Sequence, residues 1–303
     1  NKEFTFMIHV AKGLPAIELL ARQNINNITD QSDCSVRTPS ILRIAVLNLM
    51  PLKADTEADI LRMLSVSPTD LDVQFVIPSN HTPKHTPQEH INQFYKRFSD
   101  IEPEHFDGMI VTGAPLERVE YEDVDYWEEM CHIMEWTRSH VRSTLWVCWG
   151  AFAALYYRYG IGRHLLDRKL SGVFHHTTLH PEHPLMKEMQ EGMDVPHSRF
   201  IIPDEDKLNL TPQIIVLAHS KEAGAYLMAE EGSRDIFIMG HPEYSQYTLD
   251  SEYRRDLGRG LNPHIPDNYY PQNNPQNTPV MLWKEHARQL YRNWITTHVT
   301  PQE

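Results

Sequence analysis

Cys148 ends the apolar run Ser143-Thr144-Leu145-Trp146-Val147 and is followed at once by Trp149-Gly150-Ala151-Phe152-Ala153-Ala154-Leu155-Tyr156-Tyr157, which reads as a helix. A strand that turns sharply into a helix leaves the side chain at the turn exposed on the carboxyl edge of a sheet. The helix N-terminus behind it favours a thiolate over a thiol. That is a setting for a sulfur nucleophile, although the same residues alone also describe a buried cysteine packing as a small hydrophobe. Such a nucleophile needs a base, and the base needs a partner that holds its tautomer and supports the imidazolium. Candidates for both occur in Ile236-Phe237-Ile238-Met239-Gly240-His241-Pro242-Glu243-Tyr244, where a buried-looking strand delivers His241 and Glu243 just past its end. The chain has 18 histidines, and it is this position with a carboxylate beside it that singles out His241.

His175, His176, His180 and His183 form the densest group of possible metal ligands. Pro181 and Pro184 break any helix that would align them and no cysteine lies nearby, so the segment reads as a polar loop and no metal is expected. Cys34, Cys131 and Cys148 are odd in number, far apart and free of any CxxC spacing, which fits a reduced compartment.

A scaffold must bring Cys148 and His241 together. Short β-rich runs recur at Ile41 to Leu47, Leu71 to Ile77, Gly108 to Thr112, Ser143 to Cys148, Ile214 to Ala218 and Ile236 to Gly240. Helix-like stretches lie between several of them: Glu57 to Leu64, Gln88 to Phe98, Trp127 to His140 and Trp149 to Tyr159. This alternation predicts an α/β protein with a mostly parallel sheet covered by helices on both faces. Ligands gather at the carboxyl ends of such strands, where Cys148, His241 and Gly113-Ala114-Pro115 all fall. The Pro- and Asn-dense stretch Leu261 to Pro279 reads as a connecting loop, followed by a helix over Leu282 to His298 whose Trp283, Leu290, Trp294 and Ile295 can pack back on the body. No repeat or boundary divides the chain, so 1–303 is expected to form one domain, with 1–40 an extension packing on the core.

At 41% hydrophobic and 23% charged, the composition is that of a globular protein. No apolar run approaches the roughly 20 residues of a membrane helix, and the opening residues lack the apolar core of a secretory signal, so a cytoplasmic address and no membrane partner are expected. A formal net charge of −13 argues against nucleic acid, while a coenzyme phosphate could still be held by a local cluster of Lys or Arg.

The runs Leu47-Asn48-Leu49-Met50-Pro51, Val111-Thr112-Gly113-Ala114-Pro115-Leu116, Cys148-Trp149, Lys169-Leu170-Ser171-Gly172-Val173, Pro196-His197-Ser198-Arg199, Gly240-His241-Pro242-Glu243-Tyr244 and Asn274-Pro275-Gln276-Asn277-Thr278-Pro279 together resemble the homoserine O-acyltransferases of methionine biosynthesis, the MetA type. The resemblance runs from Leu14 to Trp294. It implies a flavodoxin-like fold related to class I glutamine amidotransferases, a homodimer, and acyl transfer from acyl-coenzyme A to the hydroxyl of L-homoserine. The route implied is ping-pong through a cysteine thioester, with no bound cofactor.

Carried over residue by residue, the resemblance makes Cys148 the acyl-thioester nucleophile, His241 the proton acceptor and Glu243 the third member of a triad. It sets Lys169, Ser198 and Arg255 at the homoserine site, with Arg255 suited to a bidentate grip on the carboxylate. Without the resemblance these three read as a solvated charge, a turn residue and part of an exposed helical face. Lys53 stands where the family carries a lysine after Met-Pro and could approach the acyl group or coenzyme, although one of the two lysines often found there is Leu52 here. The oxyanion hole is expected from the backbone N–H of Trp149 with that of Gly113 or Ala114, since Pro115 has none to give. At Glu117 the family pattern associates glycine with succinyl transfer and glutamate with acetyl transfer, so acetyl-coenzyme A is the expected donor. The rival chemistry is glutamine amide hydrolysis, whose enzymes commonly carry a glycine where this chain has Trp146.

Overall fold

The computed structural model describes residues 6–30, 41–232 and 234–301, so Cys34 lies outside the described residues. Strands β1 (Ile8–His9), β2 (Ile28–Thr29), β3 (Leu42–Leu47), β4 (Leu71–Ile77), β5 (Tyr95–Arg97), β6 (Phe106–Val111) and β7 (Val141–Val147) come first. A long hairpin of β8 (Arg163–Thr178) and β9 (Gly192–Pro203) follows, then β10 (Ile214–Ser220), β11 (Gly224–Glu230) and β12 (Ile236–Ile238). They form one sheet in the order β2-β1-β4-β3-β6-β7-β12-β11-β10-β8-β9, with β5 paired to β4.

Pairing is parallel from β2 through to β12, because each crossover returns the chain to the same edge. Beyond β12 the pairs β12–β11, β11–β10, β10–β8 and β8–β9 are antiparallel. The fold is thus the expected α/β sheet extended by an antiparallel wing. β1 and β2 add to the far edge, where Ile8 pairs with Leu71, so the described part of the N-terminal segment joins the sheet itself.

Successive side chains of the central strands point to opposite faces, and two cores result. Ile44, Val46, Ile110 and Leu145 join helices α1 (Ala16–Ala21), α2 (Lys53–Leu64) and α3 (Gln88–Phe94) on one face. Ala45, Leu47, Met109 and Trp146 join α4 (Phe98–Ile101), α5 (Trp127–His140), α6 (Trp149–Tyr159) and α7 (Glu205–Asn209) on the other. After α8 (Thr248–Gly258), α9 (Lys284–Trp294) docks on the first face, with Trp283, Leu290, Trp294 and Ile295 fully buried as expected. Its seat is Gly108: a Cβ there would stand 2.8 Å from Ile44 Cδ1 and 3.1 Å from Trp294 Cη2.

Three local expectations are corrected. The helix foreseen over Gln88 to Phe98 stops at Phe94, because Tyr95–Arg97 goes extended to pair with β4 while the Tyr95 hydroxyl bonds Glu57 in the interior. His175 and His176 belong to β8 rather than to a polar loop. His176 is fully buried, its Nδ1–H donating to Phe174 O at 2.9 Å and its Nε2 facing His197 Nε2 at 3.2 Å. Finally, the loop after Leu261 is more than a connection. Asp267 N–H donates to Ser171 O and Val173 N–H donates to Asp267 O, both at 2.8 Å, pinning the segment against β8. Gly172, at φ 149°, allows that approach, since a Cβ there would lie within 2.5 Å of the Asp267 backbone nitrogen.

Candidate active site

Cys148 sits between β7 and α6 at φ 47° and ψ −119°, a conformation that costs a non-glycine residue about 1–3 kcal/mol. Its neighbours over-determine it. The Cys148 N–H donates to Ile238 O at 2.7 Å, tying the turn to the strand that delivers His241. Two residues on, a Cβ at Gly150 would lie 2.9 Å from Thr112 O and 3.0 Å from Val111 O, so only glycine lets α6 start this close to β6. The Trp149 N–H belongs to the first turn of α6, whose donors have no acceptor within the helix.

His241 is anchored as tightly. Its N–H donates to Pro196 O at 2.8 Å, and Gly240 before it has room for no side chain, because a Cβ would meet Val195 Cγ1 at 2.9 Å. The buried guanidinium of Arg199 donates to the carbonyls of Met239, Ile201 and Ala223, fixing the strand end that leads to His241. Burial pulls Arg199 down to about 10 from its ordinary 12.5. The His241 Nδ1–H donates to Glu243 Oε1 at 2.7 Å, and the ring and the Cys148 sulfur meet beside Gly113. Burial alone would depress the imidazole's pKa, but the Cys148 and Glu243 charges and hydrogen bonds outweigh it and hold the pKa well above the ordinary value. Tyr244 stacks on the imidazole with ring centroids 4.2 Å apart. The three residues paired at a distance in sequence are therefore one contiguous chain, Cys148 to His241 to Glu243.

Gly113 closes against this pair. A Cβ placed on it would be 3.2 Å from Cys148 Cβ and 3.7 Å from both Cys148 Sγ and His241 Cε1. Gly113 and Ala114 line a cavity of about 560 Å³ together with Cys148, His241, Glu117, Lys169, Ser198 and Arg255. Met50 and Pro51 form another part of the wall, and the pinned loop adds Leu261 to His264.

Lys53 is not in that lining. It is buried, and its Nζ donates to Asn48 O at 2.7 Å and Met50 O at 2.9 Å, so it grips the turn behind the wall rather than the space within it. Burial pushes its pKa down to about 8 against the opposing pull of Glu57. Burial likewise raises the Glu117 carboxyl above its ordinary range, with Lys169 and His241 pulling the other way.

Glu252 joins these residues and was not singled out from the sequence. Its Oε2 accepts from Ser198 Oγ and, at 3.3 Å, from Lys169 Nζ; its Oε1 accepts from Tyr244 OH at 2.8 Å. Burial would raise the carboxyl, but Lys169 and the two hydroxyls, with His241 beyond, bring its pKa below the usual range. Arg255 lies one turn further on α8, half exposed, with Nε and Nη2 both 2.8 Å from Asp256 Oδ1. The spacing 252, 255, 256 puts all three on one helix face, and that spacing is the sequence signal that could have found Glu252.

The family model described as homoserine O-succinyltransferase matches residues 7–302. The chain is 44% identical over 286 residues to a homoserine O-acetyltransferase of Bacteroides thetaiotaomicron, covering 94% of this chain and 93% of that one. It is 43% identical over 290 residues to a homoserine O-acetyltransferase of Thermotoga neapolitana, covering 95% and 94%. Among solved structures it is similar to a glutamine amidotransferase from Thermotoga maritima, with a TM-score of 0.57 at 12% identity over 86% of this chain and 99% of that one. The last likeness speaks for the fold alone.

Proposed function

The chain belongs to the homoserine O-succinyltransferase family, and from that premise we propose that it transfers an acetyl group from acetyl-coenzyme A to the side-chain hydroxyl of L-homoserine. The observation that supports this most directly is that one cavity is lined by Cys148 and His241 together with Glu117, Lys169, Ser198 and Arg255.

The resting pair is a Cys148 thiolate beside a His241 imidazolium. The thiolate attacks the thioester carbonyl, and the oxyanion is held by the N–H of Trp149 with that of Gly113 or Ala114. Collapse expels coenzyme A, which takes the imidazolium proton and leaves as the free thiol, so acetyl-Cys148 faces a neutral His241. Loss of the thiolate removes the largest of the influences that held the imidazole proton, while Glu243 keeps the ring basic and oriented. His241 then takes the homoserine hydroxyl proton as that oxygen attacks the acetyl-cysteine, and collapse regenerates thiolate and imidazolium. Both half-reactions balance with acetyl-coenzyme A and homoserine alone, and no bound cofactor or metal is invoked. Arg255 and Lys169 serve the amino acid's carboxylate.

Acetyl is preferred to succinyl because Glu117 occupies the cavity beside the nucleophile. A succinyl carboxylate about 4 Å from an ionised Glu117 would cost on the order of 4 kcal/mol at an effective dielectric of 20, and the side chain also fills space the longer acyl group needs. The working enzyme is taken to be a homodimer, which light scattering tests.

The deciding experiment offers L-homoserine with equal acetyl- and succinyl-coenzyme A and weighs the product. Intact-mass analysis of protein given acetyl-coenzyme A alone is expected to show one acetyl group on Cys148. Turnover with no adduct under rapid quench, or full activity in Cys148→Ala, would refute the covalent route. Turnover of free glutamine without acyl transfer would move the protein to amide hydrolysis.

A further inference from the structure

The geometry points to Glu252 as the group that receives the α-ammonium of the acceptor amino acid, making it the residue that separates an amino acid from a plain hydroxy acid. Its basis is the transfer to L-homoserine proposed above.

A zwitterion entering this cavity needs an anion as well as a cation, because an unpaired ammonium out of water is costly. Four carboxylates line the space: Glu117, Asp167, Glu252 and Asp256. Asp256 is taken up by Arg255 at 2.8 Å, and Asp167 is exposed. Glu117 lines the same cavity as Cys148 and His241 and is assigned above to the choice of acyl group. Glu252 remains: its side chain is 17% exposed, and three donors hold its charge in place.

Those donors leave room for one more. A carboxylate offers about four lone-pair positions. Ser198 and Lys169 share Oε2, whereas among the described residues Tyr244 is the donor to Oε1. The remaining position on Oε1 suits an ammonium hydrogen.

Position on the helix agrees. Glu252 and Arg255 are one turn apart on α8, with side chains on the same face. One face of one helix therefore presents an anion and a cation to the same cavity, the first for the ammonium and the second for the carboxylate of a single α-carbon. The hydroxyl arm is left free to reach toward His241.

The test compares L-homoserine with 4-hydroxybutanoate, which keeps the hydroxyl arm and carboxylate but lacks the ammonium, in the wild type and in Glu252→Gln. Glutamine keeps the side-chain length and one acceptor oxygen, while its amide nitrogen meets the other of the two hydroxyls as a donor, and the negative charge is lost. The wild type is expected to prefer L-homoserine, and the variant to lose that preference by about 10- to 150-fold in kcat/KM. The loss should fall on L-homoserine while acetylation of Cys148, read by intact mass, continues. Glu252→Asp, which restores the charge, should recover part of the preference.

Equal loss with both acceptors in Glu252→Gln would make Glu252 a structural tie and overturn the proposal. A wild type that accepts 4-hydroxybutanoate as readily as L-homoserine overturns it without any variant, should the variants fail to fold. Absence of any wild-type transfer to L-homoserine refutes the acyltransferase function, and this inference with it. Transfer with an unchanged preference in Glu252→Gln refutes the ammonium site alone.

Discussion

Tyr244 lies nearly parallel to the imidazole of His241, ring centroids 4.2 Å apart and planes 16° apart, while its hydroxyl donates to Glu252. The stack fixes the plane in which His241 meets Glu243 and Cys148, and the hydroxyl ties that plane to the wall carrying Lys169 and Ser198. Tyr244→Leu is expected to lower kcat about tenfold or more by freeing the ring, whereas Tyr244→Phe keeps the stack and loses less. Single-turnover acetylation of both variants checks the order, and equal rates would show that the stack does not position the base.

Glu243 sets the proton affinity of His241 once Cys148 is acetylated. A nearby anion raises a cation's pKa, so Glu243→Gln lowers it. The acyl-transfer half-reaction needs neutral His241, and its rate rises as pH passes through that pKa. The rising limb should therefore move to lower pH in the variant, with a smaller plateau because tautomer and orientation are less well held. A limb at unchanged or higher pH in rapid-quench deacylation would contradict this assignment.

For donor choice, Glu117→Gly removes both the charge and the bulk beside the nucleophile. The ratio of kcat/KM for succinyl- over acetyl-coenzyme A is expected to rise by one to two orders of magnitude, about 1.4 to 2.8 kcal/mol. A ratio that stays constant would leave Glu117 as a cavity-lining charge without a part in selection.

Thr112 brackets two walls of the cavity. Leu49 N–H donates to its hydroxyl at 2.8 Å and the hydroxyl donates to Gly113 O at 3.0 Å, joining the Lys53-gripped turn to the backbone facing Cys148. Thr112→Val keeps the shape and loses both bonds, so kcat for acetylation should fall severalfold with the donor's KM little changed. Thr112→Ser should restore it, and failure of that rescue would mean the hydroxyl is not what matters.

The buried His176 predicts an acid-sensitive fold. Burial, reinforced by the Arg199 charge and partly offset by the bond to Phe174, depresses its pKa to about 3 from 6.5. Below about pH 6.5 the unfolded chain takes up a proton that the folded chain refuses, so stability falls with pH through that window by up to about 1.4 kcal/mol per unit. His176→Gln binds no proton there, and its Tm between pH 6 and 4 should decline less steeply than that of the wild type. Parallel Tm curves would place the acid sensitivity elsewhere.

Much of this molecule is legible along the chain. Apolar runs of strand length alternating with helix-length amphipathic stretches dictate a parallel sheet, because a chain that crosses back to the same edge has no other way to pair. Cys148 at a strand-to-helix junction and His241 with Glu243 past a strand end are local facts, and β7 and β12 as neighbours turn them into one site. Local sequence could not reveal the partners that come from afar. Glu252 looks like any glutamate on a polar helix until Ser198, 54 residues earlier, and Lys169, 83 residues earlier, donate to it. His176 reads as part of a polar stretch until β9 brings His197 against it and closes out water. Lys53 carries the same charge whether it meets solvent, substrate or two backbone carbonyls, and only the packing of α2 under the turn at 48–51 chose the carbonyls. Periodicity and turn chemistry act over a few residues and so are written locally, whereas burial and hydrogen-bond partnership depend on which distant segments the sheet order makes adjacent.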